Sequence, residues 1–149
     1  KFSADGSPDP AFGTGGAAFL ELGPVTGGTA ASGDDAFGVA VQSDGRIVVA
    51  AARADLTLQL NEAVLARLGP DGTRDTTFGD DGAVLVPGAV GVASAFDVVA
   101  LGSDDLVTVG RGIPFVQVSR NGRAQAISPV FGNSQERLFG LRRFPDDRV

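Results

Sequence analysis

Apolar residues in this chain come in short bursts separated by Gly-, Asp- and Ser-rich breaks. The bursts are residues 17–22 (AAFLEL), 37–42 (FGVAVQ), 46–52 (RIVVAAA), 63–68 (AVLARL), 98–101 (VVAL), 106–110 (LVTVG) and 115–119 (FVQVS). None sustains an apolar face over three helical turns, and Val and Ile are frequent within them, so each predicts a strand. Ser43-Asp44-Gly45 stands between two of these runs. Asp-Gly flanked by β-branched runs predicts a hairpin, because Gly takes the positive φ that such turns require. Offset by 60, residues 98–101 and 106–110 flank Ser103-Asp104-Asp105 in the same plan, which puts Asp105 in the place of Gly45. A third hairpin starts at Phe139 and is cut off at Val149. Residues 23–34, 55–61 and 87–94 read as variable loops.

A longer pattern repeats as well. Asp71-Gly72-Thr73-Arg74-Asp75-Thr76-Thr77-Phe78-Gly79-Asp80-Asp81-Gly82 has a counterpart in residues 5–16, 66 positions earlier. A worn copy, Asn121-Gly122-Arg123 running on to Phe131-Gly132, lies 50 positions later. Repeats at such spacing signal an array of like units. The unit is a hairpin with an Asp-Gly turn, a variable loop, a third strand, a second Asp-Gly or Asn-Gly turn, then an Asp…Phe-Gly segment leading to a fourth strand. Four antiparallel strands in roughly 45 to 65 residues is the size of one β-propeller blade. The whole chain, 1–149, reads as one array: 1–33 the end of one unit, 34–92 the best-preserved unit, 93–133 a degraded unit and 134–149 the start of another. Its repeated elements are turn-makers (Asp44, Gly45, Asp71, Gly72, Gly79) and aromatic anchors (Phe12, Phe37, Phe78, Phe131, with Phe139). One large ring per unit is expected to fill the space between stacked sheets.

Together, residues 39–50 (VAVQSDGRIVVA), 65–68 (LARL) and 71–79 (DGTRDTTFG) resemble the bacterial delta-60 repeat, found in secreted proteins of myxobacteria and their relatives. The strand layout is also similar to blades of the NHL type. The resemblance implies an all-β propeller scaffold with no shared catalytic or cofactor-binding residues. Propellers close with about four to eight blades; about two and a half are expected here, an incomplete ring. The expectation is therefore a segment of a longer bacterial chain, extracellular or at the cell surface, with further blades of the same chain or another protein as partner.

Composition narrows the chemistry. The 149 residues carry 22 Gly and ten Phe but no Cys, His, Tyr, Trp or Met. Without Cys there is no disulfide framework or thiolate chemistry, and without His the commonest general base and metal ligand is missing. A net charge of -6 disfavours nucleic acid and anionic lipid, and no apolar run is long enough for a membrane-spanning helix. The Asp pairs at 34–35, 80–81, 104–105 and 146–147 are the residues with chemical potential. Calcium takes six to eight oxygen ligands, and Asp80 and Asp81 are the candidates for holding it; the competing reading is that Asp beside Gly makes turns. Neighbouring residues on a strand point to opposite faces, so these pairs do not build a two-carboxylate hydrolase site. No catalytic or cofactor-binding residue is assigned, and the chain is expected not to be an enzyme. The function expected is a scaffold for binding or display. Its alternatives are blades of a secreted hydrolase whose active site lies elsewhere, or a calcium-stabilised structural repeat.

Overall fold

Residues 47–52 and 63–66 are apolar at nearly every position, a pattern that fits a strand covered on both faces rather than one. That is how they fold. A computed structural model describes residues 1–28, 33–55, 58–87, 92–101, 104–113, 116–118, 122–126 and 139–143. Among these described residues eight strands follow one another: β1 (Gly33–Val41), β2 (Ile47–Asp55), β3 (Leu60–Leu68), β4 (Ala83–Leu85), β5 (Ser94–Ala100), β6 (Leu106–Arg111), β7 (Val116–Val118) and β8 (Ala124–Ala126). They form two four-stranded sheets, β1-β2-β3-β4 and β5-β6-β7-β8, in which every neighbouring pair is antiparallel. The described residues contain no helix. The chain is all-β, built of β-propeller blades.

Alternation along the strands builds the core. Val48, Ala50, Ala63, Leu65 and Val84 leave one face of the first sheet and pack with Ala95, Val98, Leu106 and Val118 of the second. Ala51, Val64 and Ala66 leave the opposite face and are covered by Leu22, with Leu20 and Ala83 beside them. The Ala-rich middle strands carry little side-chain bulk, so neighbouring layers approach closely. The first strands of successive units lie side by side. A Cβ on Gly38 of β1 would come within 2.9 Å of Asp97 Cα in β5, and Asp97 Oδ2 accepts the Leu141 N–H at 2.8 Å.

Several sequence expectations are corrected here. Residues 17–22 do not form a ladder strand. The residues that pair with β4 are Val64–Ala66, and in the first copy of the repeat Lys1 stands at the position of Arg67. β1 begins at Gly33, which moves Gly33 and Asp34 out of the loop assigned to 23–34 and into a strand. The second hairpin is offset by 59, not 60: Val41 pairs with Ile47 and Ala100 with Leu106. The residue that takes Gly45's place is therefore Asp104, with φ of 63°, and not Asp105. The fourth strand of the second sheet does not wait for the Phe-Gly segment. Where Leu68 makes a single bridge to Arg74, the equivalent pair Val118 and Ala124 opens the three-residue ladder of β7 and β8. Phe131 lies outside the described residues.

Candidate functional site

The residues of the repeated pattern converge on one buried guanidinium. Arg67 sits at the end of β3 with its side chain 4% exposed. Its Nε donates to Asp75 Oδ2 at 2.8 Å, one of its terminal nitrogens reaches Gln42 Oε1 at 3.3 Å, and its guanidinium lies over the Phe78 ring, 4.4 Å from the centroid. Asp75 Oδ2 also lies 3.0 Å from the Arg46 Nε as an ion pair, and Arg46 in turn pairs with Asp44. Burial pulls the Arg67 pKa below the usual arginine value, while the Asp75 charge pulls it back. Burial also opposes the ionised form of Asp75, but hydrogen bonds from the Thr77 side chain and N–H, with the Arg67 charge, outweigh it and hold this carboxyl below the usual range. Phe78 itself is fully buried. The first copy rebuilds the same constellation: Lys1 Nζ lies 3.1 Å from Asp9 Oδ2 and 5.9 Å from the centroid of Phe12, which is 6% exposed.

The turns lie around this node. Gln42 N–H donates to Arg46 O and Gly45 N–H to Gln42 O, with Gly45 at φ of 84°. Residues 69–73 repeat those two bonds, with Gly72 at φ of 85°, and Asp71 Oδ1 accepts the Thr73 N–H at 3.0 Å and hydroxyl at 2.7 Å. Successive units meet at these turns. Gly13 N–H donates to Asp71 O at 2.7 Å, and a Cβ on Gly72 would stand 2.9 Å from Gly13 N. One unit later a Cβ on Gly122 would collide with the backbone of Gly79. Phe12-Gly13 and Phe78-Gly79 thus each abut the turn of the next unit. Asp104 makes a second stitch: its carboxylate accepts the Ser43 N–H at 2.7 Å and the Ser43 hydroxyl, and its carbonyl accepts the Gln42 side-chain amide at 2.7 Å.

The opposite end of the first sheet is different in kind. Gly33 pairs with Ala54 and Leu60 with Asp55, so the flanks of two variable loops meet there. The third joins them, since Asn61 bridges Val92 and accepts the Ala93 N–H at 3.0 Å. Residues 22–26 are tied to the same end. Leu22 O accepts from Arg53 at 3.2 Å, and the Thr26 N–H donates to Glu62 Oε2 at 3.0 Å. Glu62 is also paired with Arg53 at 2.8 Å. Burial works against the charged Glu62, but these hydrogen bonds prevail and lower its pKa.

Asp80 and Asp81 occupy the tight turn before β4, with Asp81 at φ of 47°. They line a cleft of about 340 Å³ together with Arg53 and Arg74. Arg74 donates to Asp81 O at 2.5 Å and to Glu21 O at 2.6 Å, and stands 3.9 Å from the Asp81 carboxylate. A divalent cation placed there would face two guanidinium groups, an unfavourable neighbourhood. Phe37 is not a core anchor. It is the extra residue of a β-bulge between Ala36 and Gly38, and 48% of it is exposed. Phe96 occupies the matching bulge of β5; it meets Phe37 edge-on at 5.2 Å and stacks on Phe139 at 5.4 Å. Phe139 is likewise exposed. A bulge re-aims its side chain out of the ladder, which is why the Phe37 ring ends up outside the core.

Sequence reasoning missed Arg67, Asp97 and Asp104. The spacing of Arg67, Asp75 and Phe78 matches that of Lys1, Asp9 and Phe12, and this signal was available. Residues 42–78 match a family model described as a β-propeller domain of unknown function (DUF5122), so the matched stretch begins and ends on two residues that touch Arg67. No curated protein and no solved structure matches the chain.

Proposed function

We propose that this β-propeller repeat is a non-catalytic scaffold of a secreted or surface-attached bacterial protein, whose work is to hold variable loops for binding or display. The observation that carries the reading is the division of the first blade into two ends. Charged and polar residues of the turn end are engaged with one another: Arg67 with Asp75, Arg46 with Asp44 and Asp75, and Asp104 with Ser43. The flanks of all three variable loops gather at the other end, and loops held by a rigid frame are where binding residues concentrate. Two experiments test the two parts. Inserting a short epitope after Leu58, between β2 and β3, should move the melting midpoint by only a few degrees and leave the epitope open to antibody; loss of the folded state would sink the display reading. Protease added to intact cells should digest the parent protein, whereas full protection until the cells are lysed would overturn the surface location.

A further inference from the structure

Asp-Gly occurs four times, at residues 5–6, 44–45, 71–72 and 81–82. Such a pair is able to rearrange unaided, because the Gly nitrogen attacks the Asp side-chain carbonyl carbon and no Gly side chain obstructs the approach. What the fold decides is whether those two atoms are held apart. In three of the pairs they are. The Gly6, Gly45 and Gly72 N–H groups donate to Ser3 O, Gln42 O and Gly69 O, each at 3.0 Å. Their Asp neighbours are tied as well. Asp5 Oδ1 accepts the Ser7 N–H and hydroxyl, Asp71 Oδ1 those of Thr73, and Asp44 Oδ1 the Arg46 N–H. These bonds hold the Asp5 and Asp71 carboxyls below the usual range, away from the neutral acid that the reaction consumes.

Asp81-Gly82 is built otherwise. It fills the two central places of the turn closed between Asp80 and Ala83, with φ of 47° and 86°. The Gly nitrogen thus falls one place short of the donor that closes the turn. Among the described residues, the Gly82 N–H makes no hydrogen bond and neither Asp81 side-chain oxygen accepts one. The Asp81 side chain is 73% exposed, with the Arg74 guanidinium 3.9 Å away. The first copy has Gly15-Gly16 in this place, and there the Gly16 N–H is tied to Phe12 O at 2.9 Å.

We propose that Asp81 is a site of spontaneous isoaspartate formation. The Gly82 N–Asp81 Cγ bond forms while the carboxyl hydroxyl leaves with the Gly82 amide proton as water. A second water opens the resulting cyclic imide, and opening at the main-chain carbonyl leaves the backbone running through the Asp81 side chain. The added backbone carbon stands next to Gly82, whose carbonyl accepts the Arg67 N–H at 3.0 Å. The change therefore lands on the rung where β4 begins to pair.

The test is to hold folded protein, and protein unfolded in urea, at neutral pH for weeks and to map each Asp-Gly. Isoaspartate is read as a peptide of unchanged mass that resists a protease cutting before Asp. The rate in urea gives the intrinsic reactivity of each site. Relative to it, Asp81 should convert in the folded protein about fivefold faster than Asp5, Asp44 and Asp71, the worth of roughly one hydrogen bond. A relative rate at Asp81 no higher than at any of the other three would overturn the proposal.

Discussion

At the scale of single residues, the repeated sequence pattern is explained by what surrounds Arg67. A guanidinium that is 4% exposed is tolerable because Asp75, Gln42 and the Phe78 ring all face it. Arg67→Ala leaves Asp75 with Arg46 and Thr77 but takes the partner from buried Gln42 and the cover from the Phe78 ring, so it should cost about 1–3 kcal/mol in urea unfolding. Arg67→Lys should cost less, since Lys1 serves in the first copy, though it forfeits the bond to Gln42. Phe78→Ala should also cost about 3–5 kcal/mol, because the ring is wholly buried between two sheets. A loss below roughly 1 kcal/mol would contradict its place in the core. Asp75 sets an acid dependence. Its pKa is depressed in the folded state, so its contribution is present above the ordinary carboxylate pKa of about 4 and is lost as pH falls through the lower folded value. Asp75→Asn should therefore be less stable near neutral pH and lose less of its stability on acidification; parallel curves for the two proteins between pH 6 and 2 would refute this.

At the scale of elements, the turns were legible and the offsets between them were not. Asp44-Gly45 and Asp71-Gly72 announce themselves because few residues other than Gly take positive φ cheaply. Asp104 hides because the second hairpin follows the first at an offset one residue shorter than the counting implied, and because an Asp in left-handed conformation costs more than Gly. Its location supplies a reason: Gly could not accept the Ser43 hydrogen bonds that join the two hairpins. Asp104→Gly should thus relax the turn yet destabilise the protein, with part of the loss vanishing when Ser43 is first replaced by Ala, since that change removes the hydroxyl bond and leaves the Ser43 N–H in place. A double-mutant cycle measures this directly, and strict additivity would remove the stitch. Phe37 was misplaced for a similar reason. An apolar residue in a strand pattern reads as inward, and only the register shift between Ala36 and Gly38 shows that it is not. Gly79 makes the opposite case. It has φ of 60°, and a Cβ there would overlap the Ala83 carbonyl, so Gly79→Ala should cost more than about 1 kcal/mol in the same unfolding assay.

At the scale of the whole molecule, neighbouring sheets share one hydrophobic core and a line of stitched turns, with loops gathered at the other end of the first sheet. The repeat arithmetic of the sequence was enough to predict stacked four-stranded units, because the turns at Gly6, Gly72 and Gly122 survive although their spacing changes from 66 to 50. It could not show which charged groups are shared between units, since that depends on how the units abut. The central claim is that the Asp-Gly…Phe-Gly stretch is a joint that makes adjacent blades one cooperative body. Native-state hydrogen exchange of β2 and β6 amides, compared between wild type and Phe78→Ala, tests it most directly. A joint predicts that protection in both strands falls together by the same free energy; a fall confined to β2, with β6 unchanged, would contradict it.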